Sequence, residues 1–264
     1  MIYEQHKIEN ATIQTYVLSN FRVLDTNRRR ATIIICPGGA YSWCSDREAE
    51  PIAIKFNSLG YNCIVLYYTT NLNSDPSTPI YPQPQIQLAK TIEYVRSNAA
   101  HLNADPNKLI VLGFSAGGHL AASLGVFWKD YGPQAKPNAL VLCYPVITSG
   151  PYAHRKSIRN LVGDNVELQS KMSLENQVSS DTPPTFIWTT KTDQSVPYQN
   201  SVLFSTALTK FSVPNKLVIY PSGTHGLSLG TREVCDGTRA VTSCIQDWPL
   251  QADSFLQQVL GPTF

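Results

Sequence analysis

The residues best suited to do chemistry fall in three short loops. Gly113-Phe114-Ser115-Ala116-Gly117 sets a serine between two glycines. A G-x-S-x-G string arises by chance in roughly one chain in ten of this length, so its setting decides its meaning. The string follows the apolar run Leu109-Ile110-Val111-Leu112 directly and opens the small-residue segment Ala116-Gly117-Gly118-His119-Leu120-Ala121-Ala122. A sharp strand-to-helix turn strains its central residue, and flanking glycines give that residue room. The hydroxyl then stands above the sheet with helix amides aimed at it. A serine hydroxyl is a poor nucleophile until a base takes its proton. Among the five histidines, His6 lies in a polar terminus, His101 at a helix end, His154 in an irregular segment and His119 one turn below Ser115. His225 differs. It sits in Gly223-Thr224-His225-Gly226, just past the strand-like Leu217-Val218-Ile219-Tyr220, where ligands of open α/β sheets bind. His225 is the candidate base.

A base of this kind needs a carboxylate to fix its tautomer and to stabilise the imidazolium. Asp193 follows the apolar run 185–190 at the same edge, whereas Asp181 precedes that run and Asp164 falls in an insertion. Pro37-Gly38-Gly39-Ala40-Tyr41 ends the first central strand. Small residues there let main-chain N–H groups approach a developing oxyanion. Gly39 and Ala40 are the candidate donors, joined by the amide of Ala116, and Ala40 suits the role if its φ stays negative. Tyr41 and Trp43 beside this loop are candidate stacking surfaces for a sugar or aryl group, with packing in the core as the alternative for both.

These loops need a scaffold, and the sequence supplies one. Segments 31–36, 63–68, 109–112, 140–144, 185–190 and 217–220 are continuous apolar runs, as expected of strands covered on both faces. Between them lie longer periodic segments. Leu88, Ile92, Val95, Ala99 and Leu102 mark one helical face, and 51–59, 116–128, 197–211 and 247–260 read as helices too. Strands that alternate with helices predict a mainly parallel sheet in one α/β domain spanning 1–264. Two stretches interrupt the alternation: a proline-rich loop over 71–84, and 147–184, which reads as a small cap above the carboxyl edge of the sheet.

Composition narrows the function classes. Of 264 residues, 42% are hydrophobic and 15% charged, with a net charge of +2, which suits a globular domain and offers no basic field for nucleic acid. No run of 18 apolar residues occurs, and residues 1–10 lack the apolar core of a signal peptide. The expectation is a cytoplasmic protein with no membrane partner. None of the six cysteines forms a C-x-x-C pair, so no zinc site is expected. Cys235 and Cys244 could close a surface loop only in an oxidising compartment.

Several segments together resemble the α/β-hydrolase esterases of the acetyl esterase and feruloyl/acetyl-xylan esterase type. They are residues 37–41 with Arg47-Glu48-Ala49-Glu50-Pro51, Gly113 to Leu120, residues 157–163, residues 182–186, Asp193 with Val196-Pro197, and His225-Gly226-Leu227. The resemblance covers roughly residues 30–260. It implies the α/β-hydrolase fold, in which the triad runs in the order serine, acid, histidine. It also implies a cofactor-free serine esterase for short acyl groups, often on sugars, with Ser115, Asp193 and His225 catalytic. The sequence departs from the pattern at Ala40, where a third glycine is usual, and at Pro37, where lipase relatives carry histidine. A peptidase or amidase, a hydroxynitrile lyase and a non-catalytic binding homologue stay open on the same fold. The expected partner is a small-molecule ester, and homo-oligomerisation is left open.

Overall fold

The computed structural model describes residues 1–237 and 240–264. Its strands are β1 Gln5–Ile8, β2 Ala11–Tyr16, β3 Arg30–Cys36, β4 Asn62–Tyr67, β5 Ala104–Phe114, β6 Ala139–Cys143, β7 Thr185–Thr190 and β8 Asn215–Tyr220. The helices are α1 Glu50–Asn57, α2 Gln83–Ser97, α3 Ser115–Phe127, α4 Arg155–Val162, α5 Val166–Lys171, α6 Gln199–Lys210 and α7 Trp248–Leu260. All eight strands join one sheet in the order β1-β2-β4-β3-β5-β6-β7-β8. From β4 to β8 the pairings are parallel. The first two strands run antiparallel at one edge.

Alternation along each central strand divides the core between two faces. Ile34, Ile64, Val111 and Leu142 pack toward α2, α3 and α6, while Ile33, Cys63, Ile110 and Val141 pack toward α1 and α7. Both faces are dry, so the strands read as unbroken apolar runs. The edge pair β1 and β2 escapes that reading. Only alternate residues of β2 are buried up to its last pair, and β1 is partly exposed throughout. Helix α2 also differs from expectation: it starts inside the proline-rich stretch, with Pro84 in its first turn, where a missing N–H costs nothing. It ends at Ser97 because the Asn98 side chain donates to Tyr94 O at 2.8 Å, leaving Ala99 and Leu102 in a turn.

The chain order around β3 creates the place for a site. From β3 the chain passes through α1 to β4 on one side, then through α2 to β5 on the other. The connections that leave β3 and β5 therefore run to opposite faces, which opens a crevice at the carboxyl edge between two neighbouring strands. Cys36 pairs with Gly113 there, so the loops after β3 and β5 start level with each other. The segment 147–184 carries α4 and α5 beside this crevice.

A buried polar chain ties these parts together. Tyr41 Oη donates to His119 Nδ1 at 2.9 Å, and His119 Nε2 donates to Met172 O at 3.2 Å. The loop after β3, helix α3 and the 147–184 segment are thus joined through one neutral imidazole. Burial pushes His119 down to about 4 from an ordinary 6.5. The unfolded chain takes up this proton as pH falls through 6.5, while the folded chain resists until about 4. Stability is therefore complete above the unfolded value and is lost on acidification, by about 3 kcal/mol over that window. His119→Gln is expected to be less stable at neutral pH and to show a flatter loss between pH 6.5 and 4. Urea unfolding at several pH values measures both slopes, and identical slopes would exclude this role.

Candidate active site

Helix α3 begins at Ser115 itself, whose φ is +51°. The strained turn is held by close approach on both sides. A Cβ added to Gly117 would lie 2.1 Å from Cys36 O, and one on Gly113 would lie 2.1 Å from Gly117 O. Neither site tolerates a side chain, so the amino end of α3 presses directly against the end of β3. Ala116 is buried in the first turn, where a helix leaves amides without an internal acceptor.

His225 reaches Ser115 from the loop after β8. Its Nε2 stands 2.8 Å from Ser115 Oγ, and its Nδ1 stands 2.6 Å from Asp193 Oδ2. The other oxygen of Asp193 accepts from the amides of Ser195 at 2.8 Å and Val196 at 2.9 Å. A carboxylate so held only accepts, so Nδ1 carries the proton and Nε2 is left to accept from the serine hydroxyl. Thr192 locks the two loops together: its Oγ1 accepts from Gly223 N at 2.9 Å and donates to Gly223 O at 3.0 Å. The other acidic residues weighed in the sequence lie elsewhere, Asp164 against Arg159 and Asp181 against Lys129.

Below the imidazole, Tyr144 packs edge-on to His225 with ring centroids 5.1 Å apart. Its hydroxyl donates to Glu48 Oε1 at 2.6 Å and accepts from Ser228 N at 2.9 Å. Ser228 is held at every polar group, because its Oγ donates to Arg47 O at 2.6 Å and its carbonyl accepts from Trp248 Nε1 at 2.9 Å. Both Tyr144 and Ser228 have positive φ, +38° and +53°.

The loop after β3 forms the facing wall. Gly39, Ala40 and Tyr41 take φ values of +128°, +57° and +58°. Ala40 thus departs from the negative φ expected of it, and an L-residue in this region is strained. Asn160 Nδ2 donates to Ala40 O at 2.7 Å and Asn71 N donates to Tyr41 O at 2.7 Å, which fasten the turn. Neither the Gly39 nor the Ala40 amide donates to an acceptor among the described residues, and both residues line the cavity above Ser115. Tyr41 does not. It is fully buried with its hydroxyl on His119, so its ring cannot stack on a substrate; the sequence cannot tell which side of a loop a ring will take. Trp43 is 52% exposed and lines the cavity.

The cavity holds about 270 Å³ and opens to solvent. Besides the loops already described, it is lined by Ser45, Arg47, Glu48, His154, Lys156 and Ser195. Sequence reasoning assigned none of these six to the site. His154 and Lys156 arrive on the segment 147–184, and His154 Nδ1 meets Ser157 Oγ at 2.8 Å. Burial, then the neighbouring His225 and Lys156, lower its affinity for a proton. All six thiols are free, Cys235 and Cys244 included. Among the described residues no group of three His, Cys, Asp or Glu is placed to hold a metal, and no helix is long and apolar enough to cross a membrane.

Comparison with known proteins places the chain in a family. The chain is 39% identical over 219 residues to endo-1,4-beta-xylanase B of Butyrivibrio fibrisolvens, covering 79% of this chain and 34% of that protein. It is 31% identical over 216 residues to the acetylxylan esterase of Xylanibacter ruminicola, covering 79% and 43% respectively. The chain therefore spans less than half the length of these relatives. Among solved structures, the acetyl ester-xyloside bifunctional hydrolase from Caldicellulosiruptor lactoaceticus superposes with a TM-score of 0.81 at 35% identity, covering 95% of this chain and 89% of that one. The BD-FAE family model matches residues 23–208. The chain has the α/β-hydrolase fold and belongs to the BD-FAE family.

Proposed function

We propose that this protein is a serine carboxylesterase that removes short acyl groups, acetyl above all, from sugars or related alcohols. The hydrogen-bonded series Asp193–His225–Ser115, ending on a serine in a strained elbow under an open cavity, carries the reading. Ser115 Oγ attacks the ester carbonyl while His225 Nε2 takes its proton and Asp193 steadies the imidazolium. The amides of Gly39, Ala40 and Ala116 stabilise the oxyanion. His225 then returns the proton to the departing alcohol, and water activated by the same imidazole releases the acid from the acyl-serine. No other group is needed to balance the step.

Size and lining favour a small, polar substrate. A cavity of about 270 Å³ lies below the usual range of roughly 300–1,000 Å³ for drug-sized ligands, and much of its wall is polar. The names of the relatives, acetylxylan esterase and acetyl ester-xyloside hydrolase, support an acetylated sugar as the substrate class. Half-exposed Trp43 offers a flat apolar surface for such a ring.

Hydrolysis of p-nitrophenyl acetate, butyrate and octanoate tests the reaction. Turnover is expected to fall from acetate to octanoate, and Ser115→Ala should lower it by about 10³-fold or more. Turnover of a matched anilide in preference to the ester would favour an amidase, and absence of serine-dependent turnover would end the reading. For Trp43→Ala, the KM for acetylated xylo-oligosaccharides is expected to rise about three- to tenfold. An unchanged KM for every sugar and aryl ester would remove the stacking role.

A further inference from the structure

Among the described residues that line the cavity, Glu48 is the one acidic side chain, and the reaction outlined above gives it nothing to do. It is 3% exposed. Among the described residues no cation forms an ion pair with it, because the guanidinium of adjacent Arg47 turns to Asp236 instead. A carboxylate in such a place costs stability, and burial raises its proton affinity. Two donors nevertheless converge on it. Gly38 N donates to Oε2 at 2.8 Å and Tyr144 Oη donates to Oε1 at 2.6 Å. Since Tyr144 Oη already receives the amide of Ser228, its proton has Glu48 as its acceptor. Both carboxylate oxygens therefore accept, and that arrangement asks for the ionised form.

One donor lies in the loop of the candidate oxyanion donors, and the other, just past the end of β6, supports the loop that carries the base. Gly38 precedes the candidate oxyanion donors Gly39 and Ala40. Tyr144 holds Ser228 and packs against the His225 ring. The serine is equally near: a Cβ added to Gly38 would lie 2.6 Å from Glu48 Oε2 on one side and 3.1 Å from Ser115 Cβ on the other. One buried carboxylate thus fixes the separation between the oxyanion loop and the base.

We propose that Glu48 is a positioning residue for the ester hydrolysis inferred above. It acts by tying Gly38 to Tyr144 and by placing a negative charge near His225 as the imidazole becomes cationic. The proposal rests on the esterase reading. A glutamine in its place keeps the shape but has one acceptor oxygen for two donors, so the Tyr144 proton loses its partner while the buried charge disappears. Stability and turnover should then move in different directions, since the charge burdens the fold and serves the transition state.

The test compares wild type, Ser115→Ala and Glu48→Gln for p-nitrophenyl acetate kinetics and thermal melting. Glu48→Gln is expected to melt no lower than wild type, with kcat reduced about tenfold or more and KM held within about twofold. A kcat within about twofold of wild type overturns the proposal. If melting temperature and kcat fall together, Tyr144→Phe decides, because it leaves the charge and cuts the link. A lower kcat at unchanged KM then supports the proposal, and an unchanged kcat overturns it. Retained turnover in Ser115→Ala would instead overturn the esterase reading, whatever Glu48→Gln does.

Discussion

The amino end of α3 rests against the end of β3 with no side chain between them, and the site depends on that contact. With Cys36 O and Pro37 O at 2.1 Å and 2.4 Å from where a Cβ would stand on Gly117, the serine elbow and the loop 37–41 form one unit. Their separation is set by main-chain atoms, which move far less than side chains. The switch in strand order around β3 makes the arrangement possible, because it sends the two connections to opposite faces and leaves the crevice between them. The remaining parts are brought to this unit. Asp193 and His225 come from the loops after β7 and β8, farther along the sheet, and α4 comes from the segment between β6 and β7.

Strain and buried charge concentrate around the same unit. Ala40, Tyr41, Ser115, Tyr144 and Ser228 all have positive φ without being glycine, and each such residue costs of order 1–3 kcal/mol. Hydrogen bonds to buried side chains hold several of them in place, with Asn160 fastening Ala40, His119 fastening Tyr41 and Glu48 fastening Tyr144. The rest of the sheet, packed on both faces, supplies the stability that this region gives up. Such a division is expected where preorganised geometry matters more than local comfort.

Much of this was legible in the sequence, for definite reasons. The five inner parallel strands stood out because both faces are dry, and β8 stood out as an apolar run although it forms the other edge and only Tyr220 of it is buried. Ser115, Asp193 and His225 stood out because each follows such a strand at its carboxyl end. Edge strands β1 and β2 did not, since one is short and polar and the other alternates. Tyr41 and Trp43 looked alike in the sequence, yet one ring turns into the core and the other to the cavity. Ala40 stood out as a departure from the third glycine that the resemblance implies, and its φ of +57° lies in the region where glycine is the unstrained residue. Glu48 was visible only as part of a matching motif. Its partner Tyr144 is 96 residues away along the chain, and no local pattern records a meeting of that kind.

Ser228 has a consequence for how the loop after β8 holds its histidine. Its amide, hydroxyl and carbonyl are bound to three separate parts of the protein, Tyr144, Arg47 and Trp248. The chain is thereby moored only three residues after His225. The described residues beyond it are tied back as well, Asp236 to Arg47 of the cavity wall and Asp247 to Tyr220 at the end of β8. The position of the imidazole is therefore set from two sides, by Asp193 at the ring and by Ser228 along the chain, so a change at any of the three anchors of Ser228 would reach His225 through the main chain.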